Sequence, residues 1–152
     1  MEVIIGNQKI WFSESVIRVL SQKKQLSFKK HEMGGILIGK IYTDTLSIKK
    51  ITLPNKFDES GPRFFERNKD IAQIILDYEF TNSNGSMVYL GEWHTHAEKD
   101  PSPSGTDIEM IKKQLRENII HSDKILLVIN GIKSLYIGLC NKKGLNGTQI
   151  NT

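Results

Sequence analysis

The sequence predicts an α/β fold: a mixed β-sheet flanked by about three helices. Two observations carry this. Short apolar runs, among them Ile36-Leu37-Ile38 and Met87-Val88-Tyr89-Leu90, have strand length and turn-rich flanks. Between them lie stretches whose apolar residues recur at helical spacing behind Ser, Asn or Asp. The 152 residues suffice for one core and one domain.

In chain order, residues 3–12 read as a short hairpin turning at Gly6-Asn7. Ser13 then caps a helix, with Glu14 in its first turn and Val16, Ile17, Val19 and Leu20 on its inner face, fraying at 23–26. A glycine-entered strand follows at 34–39. It pairs, about a turn at 43–45, with a strand at 46–53. Residues 54–67 have no periodicity and read as a loop that either shapes a site or anchors itself through Phe64 or Phe65. Asn68 or Asp70 opens a helix with apolar positions Ile71, Ile74, Ile75 and Tyr78, ended by 82–85. The strand from Met87, a helix over 107–116, and two strands at 124–129 and 134–140 about Gly131 complete the fold. Residues 1–141 form the expected domain, and 142–152 a short polar, disordered tail.

Composition excludes several classes. The net charge of +4, from 21 basic and 17 acidic residues, is mild. The lysine pairs at 23–24, 29–30, 49–50 and 142–143 are scattered, without the gathered charge and aromatics of a nucleic-acid module. The single cysteine, Cys140, excludes an internal disulfide and reads as a small core hydrophobe. No segment is long and apolar enough to span a membrane. Glu2 and the missing basic leader give the expectation of no signal peptide and a cytoplasmic location.

The chemistry gathers at His94-Thr95-His96, followed by Pro101, Pro103, Ser104 and Asp107. Residues two apart in a strand share a face, so His94 and His96 project together. Asp107 sits in the first turn of the next helix. Two imidazoles and a carboxylate are the ligands of a catalytic zinc site with one open position. Ser104 and Asp107 also fit a capping box, and the two roles are compatible. A base is needed beside such a metal. Glu32, Glu92 and Glu98 are the candidates; Glu92 shares the face of the histidines and suits a supporting role. Trp93, on the opposite face, reads as core.

Glu32 with Gly34-Gly35-Ile36-Leu37-Ile38-Gly39, then His94, His96, Ser104 and Asp107, resembles the JAMM motif of the JAB/MPN metalloprotease family. The ten residues between His96 and Asp107 match its spacing. The resemblance implies a cytidine-deaminase-like sandwich, zinc on His94, His96 and Asp107, Glu32 as general base, and Ser104 as donor to the oxyanion. It implies hydrolysis of a peptide or isopeptide bond without a covalent intermediate. Ala97 stands where the family commonly has proline and is expected to loosen the loop.

The stretch from Tyr89 to His96, with Phe64-Phe65-Glu66-Arg67, is most similar to a bacterial, deubiquitinase-like branch found in CBASS antiviral operons. That branch implies a ubiquitin-like or nucleotidyltransferase conjugate as substrate. It also implies ubiquitin-activating-like and ubiquitin-conjugating-like enzymes as pathway neighbours, while the scattered charge and the lack of a long apolar segment give the expectation of no nucleic-acid or membrane partner. Two alternatives remain: a processing peptidase for a small ubiquitin-like sulfur carrier, and a non-catalytic MPN scaffold.

Overall fold

A computed structural model describes residues 1–118 and 120–152. Strands β1 (Glu2–Ile5) and β2 (Gln8–Phe12) form the opening hairpin, and Ser13 caps α1 (Glu14–Gln22) by accepting from the Val16 amide. Then come β3 (Gly34–Ile41), β4 (Thr45–Ile51), β5 (Glu59–Gly61), β6 (Phe64–Glu66) and α2 (Lys69–Asn82). The chain continues with β7 (Val88–Thr95), α3 (Gly105–Glu117), β8 (Ile125–Asn130), β9 (Ser134–Asn141) and β10 (Gly144–Asn151). No helix among the described residues is long and apolar enough to cross a membrane.

Eight strands make one mixed sheet in the order β1-β2-β4-β3-β7-β8-β9-β10. β2 with β4 and β7 with β8 are parallel; the other pairs are antiparallel. The parallel β7–β8 pair requires a crossover, and α3 is that crossover. α1 covers one face of the sheet, next to β4, and its Val16 and Leu20 share one core with Ile48, Leu90, Trp93 and Leu126. On the other face Ile111 of α3 meets Ile125, Leu127 and Ile129, while Ala72 of α2 meets Ile36 and Ile38. β8 is buried along its whole length because it feeds both cores. That explains its unbroken apolar run.

β7 departs from strict alternation at one place. Its register with β3 shifts between Leu37↔Gly91 and Ile38↔Tyr89, skipping Leu90. This is a β-bulge. A Cβ at Gly91 would run into the Leu126 carbonyl, so glycine is required there. The bulge turns Tyr89 and Glu92, three apart, to the same face.

Three expectations change. Residues 54–67 are not featureless: β5 and β6 pair as a small hairpin, Glu59↔Glu66 to Gly61↔Phe64. On α2 the buried residue is Ala72, with Ile75 and Leu76 partly buried, while Ile74 and Tyr78 face solvent. The polar tail is not disordered; its residues 144–151 pair with β9 from Gly144↔Asn141 to Asn151↔Ser134. Leu145 and Ile150 lean on the two opposite cores, which is why the segment shows no period-two pattern.

Candidate metal centre

The centre lies where β7 ends. Thr95 closes the strand in register with Asn130, and the His96 amide donates to the Asn130 carbonyl at 3.2 Å. That keeps β7 extended through both histidines, so their rings share the face of α3. The loop that follows is tied to the β8–β9 turn. The carbonyls of Glu98 and Lys99 accept from Ile132 at 2.7 Å and Lys133 at 2.9 Å, and Ser134 Oγ donates to Asp100 at 2.9 Å. Ala97 is buried at the head of this tied loop.

The loop delivers Ser104 as the N-cap of α3. Ser104 Oγ accepts from the Asp107 amide at 3.1 Å, and Asp107 Oδ2 accepts from the Ser104 amide at 2.7 Å. The same carboxylate faces both rings: Oδ1 is 3.1 Å from His94 Nε2, and Oδ2 is 3.3 Å from His96 Nε2. The two Nε2 atoms are 3.1 Å apart. Bonds of about 2.0–2.1 Å arranged tetrahedrally give ligand–ligand edges of about 3.3 Å, so the two imidazoles and the carboxylate have spacings that suit zinc ligands.

Glu32 reaches the cluster from the other side. It precedes β3, and its carboxylate lies within 4.8 Å of the ligand atoms of His94 and His96. Glu92 does not join them. Its carboxylate is taken by the Arg67 guanidinium, at 2.8 Å from Nη2 and 2.9 Å from Nε, and by the Tyr89 hydroxyl at 2.7 Å. Glu98 is half-exposed, 3.6 Å from His96 Nδ1.

The electrostatics divide the carboxylates. Burial would raise Asp107, but its hydrogen bonds from His94 and His96 outweigh that and hold it well below the usual carboxylate range. Burial dominates at Glu32 and pushes its carboxyl up, against the pull of His94 and His96. Burial opposes a charge on the His96 ring, yet the hydrogen bond to Asp107 raises its pKa overall. One carboxyl is held ionised among the rings and another is kept basic beside them, as in sites that combine a ligand and a proton acceptor.

The cluster floors a cleft of about 480 Å³ walled by Phe28, Phe64, Phe65 and Met110, with Ser104 and Thr106 at its rim. Phe28 and Phe64 are exposed. The hairpin β5–β6, invisible in the sequence, supplies much of this wall. Thr95 and Gln25, both fully buried, also went unseen; their side chains tie together the segments around the cluster.

Residues 13–137 match the family described as prokaryotic homologs of the JAB domain. This chain belongs to the JAB family. Its curated relatives include proteins named CD-NTase/cGAS isopeptidase. The one from Pseudomonas aeruginosa is 35% identical over 88% of this JAB chain and 84% of its own. The one from Escherichia coli is 36% identical over 87% and 81%, and that from Vibrio cholerae 35% over 81% and 76%. In fold the JAB chain is similar to a solution structure of a Desulfitobacterium hafniense protein, with a TM-score of 0.58, 18% identity, and coverage of 91% of this chain and 89% of that one.

Proposed function

We propose that this JAB protein is a zinc-dependent isopeptidase that releases a CD-NTase-type nucleotidyltransferase from the protein to which its C-terminus is joined. The observation that carries this is the convergence of His94, His96 and Asp107 at 3.1–3.3 Å, with the Glu32 carboxylate beside them at the floor of an open cleft. His94, His96 and Asp107 would hold the metal. Zinc bound there would act as a Lewis acid, polarising the scissile carbonyl and lowering the pKa of a water molecule to ~7.

Glu32 takes the proton of the attacking water and delivers it to the leaving lysine amine. Burial raises its carboxyl, which strengthens it as a proton acceptor. Ser104 Oγ accepts from Asp107, which leaves its hydroxyl hydrogen free to donate to the developing oxyanion. The relatives' names support the nucleotidyltransferase over a sulfur carrier as the conjugated protein. A cytoplasmic role in antiviral defence, beside ubiquitin-activating-like and ubiquitin-conjugating-like enzymes, follows from that substrate.

The test is a trap. Glu32→Gln, expressed with its genomic neighbours, should keep one zinc per chain, lose turnover by roughly 10²–10⁴, and co-purify with a nucleotidyltransferase conjugate identified by mass spectrometry. Asp107→Ala should lose zinc and turnover together. Full turnover in Glu32→Gln, or full zinc in Asp107→Ala, would overturn the assignment. A sulfur carrier in the trap would reassign the substrate.

A further inference from the structure

Three segments must meet for Glu32 to face the histidines, and one buried side chain touches all three. Gln25 lies just past α1 and is only 1% exposed. Its amide nitrogen donates to the Lys30 carbonyl at 2.7 Å, two residues before Glu32, and to the Pro62 carbonyl at 3.0 Å, in the turn of the β5–β6 hairpin. Both amide hydrogens are used, which fixes the side chain's orientation. Its oxygen lies 3.5 Å from the Thr95 hydroxyl, between His94 and His96.

The neighbouring backbone repeats the same three-way connection. The Glu32 amide donates to the Gly61 carbonyl at 2.8 Å. Thr95 Oγ1 accepts from the Met33 amide at 3.0 Å, and the Thr95 amide donates to the Met33 carbonyl at 2.8 Å. Glu32 therefore hangs between the hairpin and β7, with Gln25 behind it closing the triangle. A Cβ at Gly34 would collide with the Phe65 ring and the Trp93 carbonyl, so the hairpin is already seated as close as the strand permits.

We infer that Gln25 is a positioning residue: through Lys30, Pro62 and Thr95 it sets where the Glu32 carboxylate stands relative to the two histidines. It touches neither substrate nor metal. The inference rests on Glu32 acting as the proton acceptor, and its effect falls on the chemical step, not on substrate binding. A misplacement on the order of 1 Å in a reacting group costs up to about 10²-fold in rate.

The probe is an isopeptide in which the C-terminal peptide of the trapped nucleotidyltransferase is joined to a fluorophore-bearing lysine. Gln25→Met keeps the volume and removes all three polar contacts. It should lower kcat by about 10- to 100-fold with KM within about twofold and one zinc per chain retained. Amide exchange followed by mass spectrometry should quicken in peptides spanning 30–36 and 60–65 and stay unchanged in β8 and β9.

Gln25→Asn, which keeps the amide but is one methylene too short to span Lys30 and Pro62, should show the same split, and decides the matter if Gln25→Met does not fold. A folded variant with wild-type kcat, or one whose loss lies wholly in KM or in zinc, overturns the inference. Glu32→Gln in the same assay separates the two levels. If it is inactive while Gln25→Met is fully active, only the role of Gln25 falls. If it is active, the role of Glu32 falls and that of Gln25 with it.

Discussion

Asp107 holds two positions with one carboxylate. Oδ2 accepts from the Ser104 amide at the start of α3 and faces His96, while Oδ1 faces His94. Helix capping and the carboxylate–imidazole cluster are thus built from the same atoms, and the pH response of the metal-free protein follows. His96 is raised, so its contribution is fully present below its ordinary value of ~6.5 and is lost as pH rises through its folded value. Glu32 is also raised, and its contribution fades in the same direction. Asp107 is depressed, so its contribution is present above ~3.9 and lost as pH falls through its folded value. Chelated protein should therefore be most stable in weak acid, with a urea midpoint that declines above about pH 6.5. Protons compete with metal for the rings, so the stabilisation added by zinc should grow over the same range. A chelated midpoint that climbs steadily to neutrality would count against the cluster. Ser104→Ala carries two separable costs: about 0.5–2 kcal/mol of stability from the lost cap, read by urea unfolding, and a loss of roughly 10²–10³ in kcat from the lost oxyanion donor, read with zinc at full occupancy. Wild-type kcat in the folded variant would remove Ser104 from the chemistry.

At the level of elements, legibility tracked periodicity. β3, β7, α1 and α3 were readable because a cap or an unbroken apolar run marked each one. The grouping of Glu32 with His94, His96 and Asp107 was readable only through the motif; periodicity alone did not select Glu32. α2 misled because it is apolar on more than one side: the spacing of Ile71, Ile74, Ile75 and Tyr78 is helical, yet the sheet takes Ala72. The hairpin β5–β6 was unreadable because three-residue strands leave no period to count. It is held in part from its far end, where Arg67 follows β6 and grips Glu92 of β7. Both side chains are mostly buried, at 18% and 8% exposure. Removing Arg67 leaves a buried carboxylate without its cation, so Arg67→Ala should cost about 3–5 kcal/mol in urea unfolding. Arg67→Met with Glu92→Gln should restore most of that loss, since it removes the unpaired charge and leaves an amide oxygen to accept from the Tyr89 hydroxyl. If the double variant is no better than the single one, the ion pair supports the hairpin by more than mutual neutralisation.

Over the whole molecule, the two ends of the sheet are unequal. Each end is a hairpin, β1–β2 and β9–β10, but the edge strand β1 carries Glu2 whereas β10, Gly144–Asn151, is uncharged. Its contribution reaches the loop between His96 and Asp107. Gln149 Nε2 donates to the Pro101 carbonyl at 2.8 Å, and the Thr152 amide donates to the Lys133 carbonyl at 3.0 Å, beside the Ile132 and Lys133 amides that hold the Glu98 and Lys99 carbonyls. Leu145 and Ile150 add half-buried aliphatic surface to opposite cores. Removing residues 144–152 should therefore do three things. It should lower stability by at least about 1.5–3 kcal/mol, half the usual burial of an aliphatic side chain for each of the two. It should expose the β9 edge, with concentration-dependent association visible by light scattering. It should also weaken zinc retention against a competing chelator, because the loop between His96 and Asp107 loses one of its fixed points. An unchanged urea midpoint would make β10 a bystander. A lowered midpoint with undiminished zinc retention would confine its role to the sheet, leaving the loop's order to the β8–β9 turn alone.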